Sequence, residues 1–424
     1  ETVVVEREYA KLRKGPGSFY EVAGLVRKGA ALAIDGKDEQ GRWLKVAGVF
    51  AKSAEEGDKL VAVEPAKAGE ETWIARIAAS KSQSEAEVAR VAGTPDAIKV
   101  DEALSAASIR GMDDDVEKLL AYNHADPELA AWMLKPRFAP AAYIQFRAAT
   151  LPPSGFISLA LTDEVAEETM NVLGADKLGI MVAAKLAAAM KGRVVRDETL
   201  NGYVSMVATL VGEATAGYDV TYRVVIVDEK AINSFSTPGG FLVVTTGLLR
   251  ACRDEAQLVA ALAHEVAHVT KGHGLREREL VAREVGADVV GAFRELDASA
   301  RSSRMSQIPQ YEELRDMADW FYSVTIAKPR REQEEHEADV HGLVYLYRAG
   351  YDPSAFAQFL QNVENTRGII FSRHPLRNHA LPGKRVKSIE SYITRLKLDQ
   401  NAGRTFEARY HEHLRAFNGL RDAK

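Results

Sequence analysis

One cysteine in 424 residues, Cys252, has no partner for an internal disulfide, so no disulfide framework organises this chain. A single thiol just before an apolar helix start reads as buried packing rather than as a ligand, and it identifies no compartment. Long hydrophobic runs are also missing. Charges interrupt every apolar stretch, and even Leu178 to Met190, LGIMVAAKLAAAM, contains a lysine and is too short to cross a bilayer. The chain therefore reads as soluble, with no transmembrane segment. No strong charge of either sign is present: 55 Lys and Arg against 60 Asp and Glu leave a net charge of -5, which makes no electrostatic case for nucleic acid. Repeats and low-complexity tracts are absent too. What remains is ordinary globular material, 46% hydrophobic over 424 residues, enough for two or three domains with real cores.

Against that background stands His264, Glu265, Val266, Ala267, His268, an HExxH pattern within the apolar run from Gln257 to Val269. A four-residue step is about 400° of helical rotation, so both imidazoles lie on one face, about one turn apart, and can share one Zn2+. Glu265 projects about 100° round from His264, where a carboxylate can hold and deprotonate a water at the open coordination position. Asp254 is placed to cap this helix, Gln257 to reach back as in a capping box, and Gly272 and Gly274 to mark its exit. Apolar Leu258, Val259, Leu262, Val266 and Val269 surround the histidines. Histidines half-buried in such a helix are costly without a task.

The third ligand sets the subclass. In the metzincin pattern a glycine and a third histidine fall seven and ten residues after the first; here those positions are Lys271 and Gly274, which excludes that class. His273 lies five residues beyond His268, about 140° round the helix or already past its end, and reads as a supporting group rather than a ligand. Further on, REQEEHEADVHG spans Arg331 to Gly342 and places Glu335 four residues before Asp339, on one helix face. Glu335 suits the third ligand, and Asp339 suits the carboxylate that holds a ligating imidazole by its other N–H.

These residues resemble the gluzincin metallopeptidase family that includes the CAAX prenyl proteases, HtpX and the periplasmic protease BepA. NSFSTPGGFLVVTTGLL, Asn233 to Leu249, is similar to the family's N-A-x-x-x-P-G-G strand and turn, with Ser234 where alanine is usual; DETLNGYV, Asp197 to Val204, resembles its approach segment; EHEAD, Glu335 to Asp339, matches its E-x-x-A-D signature. The spacing excludes Glu334 and Glu337 and selects Glu335. The family's H-P-x-x-x-x-R-[IV] element is displaced here. His374 and Pro375 supply the dipeptide, but Arg385, which precedes a valine, is eleven residues from His374 and six from His379. The resemblance implies that one of these histidines and the arginine assist at the tetrahedral intermediate; spacing favours His379 with Arg385. Either histidine could instead donate a proton or plug the zinc. The lack of a membrane segment separates this chain from the prenyl proteases and HtpX and points to the soluble periplasmic branch. No signal peptide is visible at Glu1, Thr2, Val3, and the expectation is that one has been removed.

Tyr222 to Asp228, YRVVIVD, and Phe241 to Thr246, FLVVTT, are β-branched and aromatic and are expected as strands beside the zinc helix. An edge strand there would bind an extended peptide through its main chain. Residues 1–55 have a different texture: Leu12, Arg13, Gly15, Pro16, Gly17, then Lys28 and Gly29, then Trp43 to Val46. They resemble the bacterial SH3-like domain, which implies a small all-β barrel and, by analogy, an envelope protein or cell-wall partner. Residues 56–173 read as a helical connecting region, with helix-like stretches at Ala86 to Val91 and Val116 to Tyr122; His124, beside Asn123 and Asp126, reads as a turn residue. Leu275 to Pro329 separate the zinc helix from its third ligand, and Arg301 to Gln310 within them suggest a lid. Val386 to Lys397 are amphipathic, suited to packing on the protease or on a second copy.

The expectation is thus an α+β chain: a mainly helical zincin-like metallopeptidase domain with a small sheet over residues 174–424, preceded by the SH3-like barrel. One Zn2+ would be held by His264, His268 and Glu335, with Asp339 behind them, Glu265 activating water, and His374, His379 and Arg385 assisting. The substrates would be proteins or peptides, with a location in the periplasm or elsewhere in the bacterial envelope and a role in its protein quality control. The alternative from another class is a chaperone-like or protein-binding factor whose protease site is plugged, slow or inactive.

Overall fold

In a computed structural model, the structure describes residues 1–7, 9–53, 59–63, 71–80, 84–95, 127–161, 178–179, 181–183, 185, 194–273, 319, 330–370, 382–398 and 401–422. The expected lid at 301–310, the helix-like stretch at 116–122, His124, His374 and His379 lie outside the described residues. The chain is α+β and divides into two units.

The first unit is a seven-stranded antiparallel sheet made of β1 (Thr2–Val4), β2 (Tyr9–Arg13), β3 (Val22–Arg27), β4 (Ala31–Lys37), β5 (Trp43–Lys52), β6 (Leu60–Val63) and β7 (Thr72–Ala75). Alternating side chains Val3, Leu12, Leu32, Leu44, Val49 and Ile74 form its core, as the period of two requires. Arg13 is buried and donates to the Ser18 and Tyr20 carbonyls, closing the Gly15-Pro16-Gly17 loop. The sheet runs on past residue 55: β7 pairs with both β5 and β2. Its order, β1-β4-β5-β7-β2-β3 with β6 on β5, leaves β1 and β3 unjoined. The expected small barrel is therefore not closed among the described residues. LVAV and TWIA are short runs bounded by lysine, glutamate and arginine, so their local composition conceals the strands that cross-strand pairing stabilises. Helix α1 (Glu85–Val91) follows, with the Ser84 N–H donating to Glu87 Oε2 at 2.9 Å as in a capping box.

The second unit holds α2 (Pro127–Leu134), α3 (Pro140–Thr150), α4 (Glu198–Glu213), β8 (Arg223–Val227), β9 (Ser234–Ser236), β10 (Phe241–Thr245), α5 (Thr246–Ala251), α6 (Glu255–Thr270), α7 (Glu332–Arg348), α8 (Ser354–Ile370), α9 (Pro382–Leu396) and α10 (Glu407–Asp422). Helix α6 is buried along its whole length except Val269, packed by α4, α7, α8 and α10. A helix that is apolar nearly all round belongs in a core. The sheet order is β8-β10-β9, with β8 parallel and β9 antiparallel to β10. FLVVTT is thus the central strand, and the edge beside α6 is the short strand β9. The amphipathic segment at Val386 forms α9 and packs on α7 and α8 of its own chain. Among the described residues, no helix is long and apolar enough to cross a membrane.

Candidate metal centre

Helix α6 begins where Asp254 Oδ1 accepts the Gln257 N–H at 2.9 Å, an N-cap that satisfies one of the orphan donors of the first turn. The Gln257 side chain reaches back one residue further than a capping box predicts, accepting from the Arg253 N–H at 3.1 Å, and it also accepts from Asn362. The helix then runs unbroken through His264, Glu265 and His268, all buried.

One turn apart on α6, His264 Nε2 and His268 Nε2 stand 3.0 Å from each other. Glu335 arrives from α7 with Oε2 3.6 Å from His264 Nε2 and Oε1 3.3 Å from His268 Nε2. Among the described residues this is the group of histidine, cysteine and carboxylate side chains that could hold a metal ion. Three ligand atoms each about 2.1 Å from a tetrahedral ion stand about 3.4 Å apart, so the triangle has the size of one face of such a site. Its chemistry fits as well: two imidazoles and a carboxylate are a donor set for a borderline cation. Burial, reinforced by Arg330, holds the His268 imidazole well below its ordinary pKa, which keeps it neutral and its lone pair available.

The supporting side chains come from α7 and α9. Asp339 lies on the same face of α7 as Glu335, with Oδ1 2.9 Å from His264 Nδ1. A carboxylate there places the imidazole proton on Nδ1 and leaves the lone pair on Nε2. Arg385 of α9 donates to Asp339 twice, Nε to Oδ2 at 2.7 Å and Nη2 to Oδ1 at 2.6 Å, while its Nη1 is 3.4 Å from Glu335 Oε2. Burial alone would raise the Asp339 pKa; Arg385 and His264 more than offset it and hold the carboxyl below its usual value. Crossing helices deliver these groups because Gly342 lets α7 press against α6: a Cβ at that position would stand 2.9 Å from the His264 backbone nitrogen.

Glu265 is fully buried, and the Ser234 hydroxyl donates to its Oε1 at 2.9 Å. Ser234 opens β9, so the sheet edge and the acid-base candidate are joined by a hydrogen bond. The structure therefore brings together His264, His268, Glu335, Glu265, Asp339 and Arg385, all named from the sequence. It adds three residues that spacing did not single out for the site. Ser234 was marked only by standing where the family resemblance puts alanine. Glu337 was set aside by the four-residue count, yet it meets His273, which in turn lies against His268. Lys271 pairs with Glu337 and is buried. A lysine between two histidines at the end of an apolar run is the signal the sequence offers for this second cluster.

Comparisons with known proteins agree with this geometry. The Peptidase family M48 model matches residues 197–393, from the start of α4 to α9, and so includes every residue of the site. The Beta-barrel assembly-enhancing protease of Escherichia coli (strain K12) is 26% identical over 206 residues, 48% of this chain and 41% of that protein. The mitochondrial metalloendopeptidase OMA1 of Schizosaccharomyces pombe is 26% identical over 192 residues, 45% of this chain and 52% of the relative. The bovine mitochondrial OMA1 is 28% identical over 185 residues, 41% of this chain and 33% of that protein. The chain thus spans well under two thirds of each of these relatives. Over residues 197–393, just under half of its length, this chain is thus similar to peptidase family M48.

Proposed function

We propose that the chain is a zinc metalloendopeptidase acting on proteins, with His264, His268 and Glu335 as the metal ligands and Glu265 as general base. The observation that carries this reading is the buried triangle of two imidazole nitrogens and a carboxylate with Glu265 next to it in sequence. A zinc ion held there would supply Lewis acidity to a water and to the scissile carbonyl. Glu265 takes the proton of the attacking water and passes it to the leaving nitrogen, the usual double duty of a carboxylate in peptide hydrolysis. Ser234 holds one oxygen of that carboxylate. Asp339, braced by Arg385, fixes the His264 ring, and Arg385 also neutralises part of the Glu335 charge. His374 or His379 is assigned to the oxyanion. An extended peptide would pair with the edge of β9, whose main-chain groups recognise backbone rather than sequence; this supports a protein substrate.

The names of the relatives, metalloendopeptidases and a protease of β-barrel assembly, support a role in the bacterial envelope, where the enzyme would remove misfolded or unassembled proteins. The test combines zinc stoichiometry with cleavage of casein by the native chain and by Glu265→Gln. One zinc per chain in both, with cleavage reduced about 100-fold or more in the variant, is the expected outcome. One zinc with no cleavage in either would favour the protein-binding reading, and no zinc would sink the site.

A further inference from the structure

The last turn of α6 folds back onto the metal-facing pair. Gly272 has φ of 63°; its N–H donates to the Val269 carbonyl at 3.1 Å, and the His273 N–H donates to the His268 carbonyl at 3.0 Å. These paired bonds are a Schellman cap. Had the helix continued, residue 273 would point about 140° away from His268. The left-handed residue at 272 reverses the chain instead and returns the His273 side chain to the ring it would have left.

The two rings meet with Nδ1 of His273 2.8 Å from Nδ1 of His268. On its far side, His273 Nε2 is 3.0 Å from Glu337 Oε2, and Glu337 Oε1 is 2.7 Å from Lys271 Nζ. His273 and Lys271 are buried. Ion-paired to the Lys271 ammonium on one oxygen and facing His273 Nε2 with the other, Glu337 is a carboxylate that only accepts. With His268 Nε2 kept as a lone pair for the metal, the donor order along the chain follows. Lys271 and His273 Nε2–H both donate to Glu337; Nδ1 of a neutral His273 keeps its lone pair and accepts from His268 Nδ1–H; and His268 Nε2 is left with its lone pair facing Glu335 and His264.

We propose that His273, anchored by Glu337 and Lys271, is a positioning residue that locks His268 in its Nδ1–H tautomer and orientation and so sets the affinity of the site for its metal. The proposal rests on the assignment of His268 as a ligand. It gives both imidazoles of the pair the same support, a carboxylate behind the outer nitrogen: Asp339 directly for His264, Glu337 through one intervening ring for His268. Groups in this position orient a ligand and raise its basicity, and their loss weakens metal binding by about 10- to 100-fold.

The experiment is competition for zinc between the full chain and a chromophoric chelator, with wild type, His273→Ala, His273→Asn and Glu337→Gln. His273→Ala should weaken zinc binding by about 10- to 100-fold. His273→Asn, whose side-chain oxygen can accept near the former Nδ1, should recover most of that loss, and Glu337→Gln should show a smaller weakening in the same direction. Equal affinity in wild type and His273→Ala would overturn the proposal. So would a lowered melting temperature of metal-free His273→Ala with unchanged affinity in its folded form, since a cap that only holds the chain does that. Should His273→Ala fail to fold, Glu337→Gln decides, because the backbone bonds of the cap are untouched in it: weaker affinity supports the proposal and equal affinity overturns it. Wild type that takes up no zinc would be a different failure, that of the ligand assignment itself.

Discussion

Glu255, at the first residue of α6, and Glu335, which reaches the same helix from α7, are both buried carboxylates with relative exposures of 0% and 1%, but they face opposite company. Glu255 accepts from the hydroxyls of Tyr203 and Tyr351, each at 2.6 Å, and from Arg409 Nε at 2.7 Å and Nη2. Three separate segments of the second unit are thereby tied to the start of the site helix. Glu335 instead shares its space with two imidazole nitrogens that are themselves 3.0 Å apart, all lone-pair bearing, with Arg385 at one flank. A buried charge ringed by donors fastens a fold. Buried acceptors converging on one point leave a place for a cation.

Removing the charge at each end should separate the two roles. Glu335→Gln should weaken zinc binding by more than the roughly 100-fold attributed to supporting groups, while the metal-free chain unfolds in urea no earlier than wild type, because a charged acceptor has been taken from among acceptors. Glu255→Ala should do the reverse. It leaves Arg409 and two buried tyrosine hydroxyls without their acceptor, at a cost of about 3 to 5 kcal/mol in urea unfolding, and the chain that remains folded should bind zinc as wild type does. A folded Glu255 variant that had lost its zinc, or an equally large destabilisation in metal-free Glu335→Gln, would break the distinction.

The pH axis offers a smaller probe at the site end of α6. His341, on α7, is buried, with Nδ1 3.4 Å from the Tyr345 hydroxyl. Burial, and after it the Lys271 charge, push its imidazole down to about 4. Between an ordinary value of about 6.5 and about 4, the unfolded chain takes up a proton that the folded chain refuses. The stability contributed by this group is therefore complete above about pH 6.5 and is lost as pH falls through about 4, by roughly 3 kcal/mol. Urea midpoints of the metal-free chain at pH 7.5, 5.5 and 4.5 should show that loss in wild type and less of it in His341→Gln. Parallel curves would show that Lys271 and burial do not act on this ring as the geometry implies.

How far each feature was legible in the sequence follows from how local it is. His264, Glu265 and His268 lie within one helical turn and a half, so spacing alone aligned them. Glu335 and Asp339 followed from the same four-residue rule. The rule failed at Glu337, two residues from each, because its importance comes from a chain reversal at Gly272 that helical counting cannot extend through. The strands β6 and β7 were hidden for a related reason: four residues of LVAV or TWIA hold no periodicity, and only pairing with β5 and β2 makes them strands. FLVVTT was recognised as a strand, but its central place and the edge position of β9 depend on β9 folding back antiparallel across it. Gln257 illustrates the finest scale, where the right side chain reached the N–H of Arg253 instead of that of Asp254.

Ser234 combines both kinds of information and gives the smallest expected effect. Its hydroxyl reaches Glu265 across 31 positions of sequence, a contact no local pattern encodes. The family resemblance puts alanine at this position, so a chain without the hydroxyl should still work, and the bond is expected to refine the site rather than create it. A single neutral donor contributes about 1 kcal/mol, which corresponds to about a fivefold fall in kcat for Ser234→Ala, with KM and zinc affinity unchanged because neither β9 backbone pairing nor the ligand triangle is altered. Ser234→Thr, which keeps the hydroxyl, should recover the loss. A rise in kcat would mean that the bond restrains the proton affinity of Glu265 more than it aims the carboxylate, since a donor to an anion also makes that anion a weaker base. The sign of one measurement thus separates positioning from damping at the same oxygen, and in either case zinc affinity that stays constant keeps the effect on the acid-base side of the site.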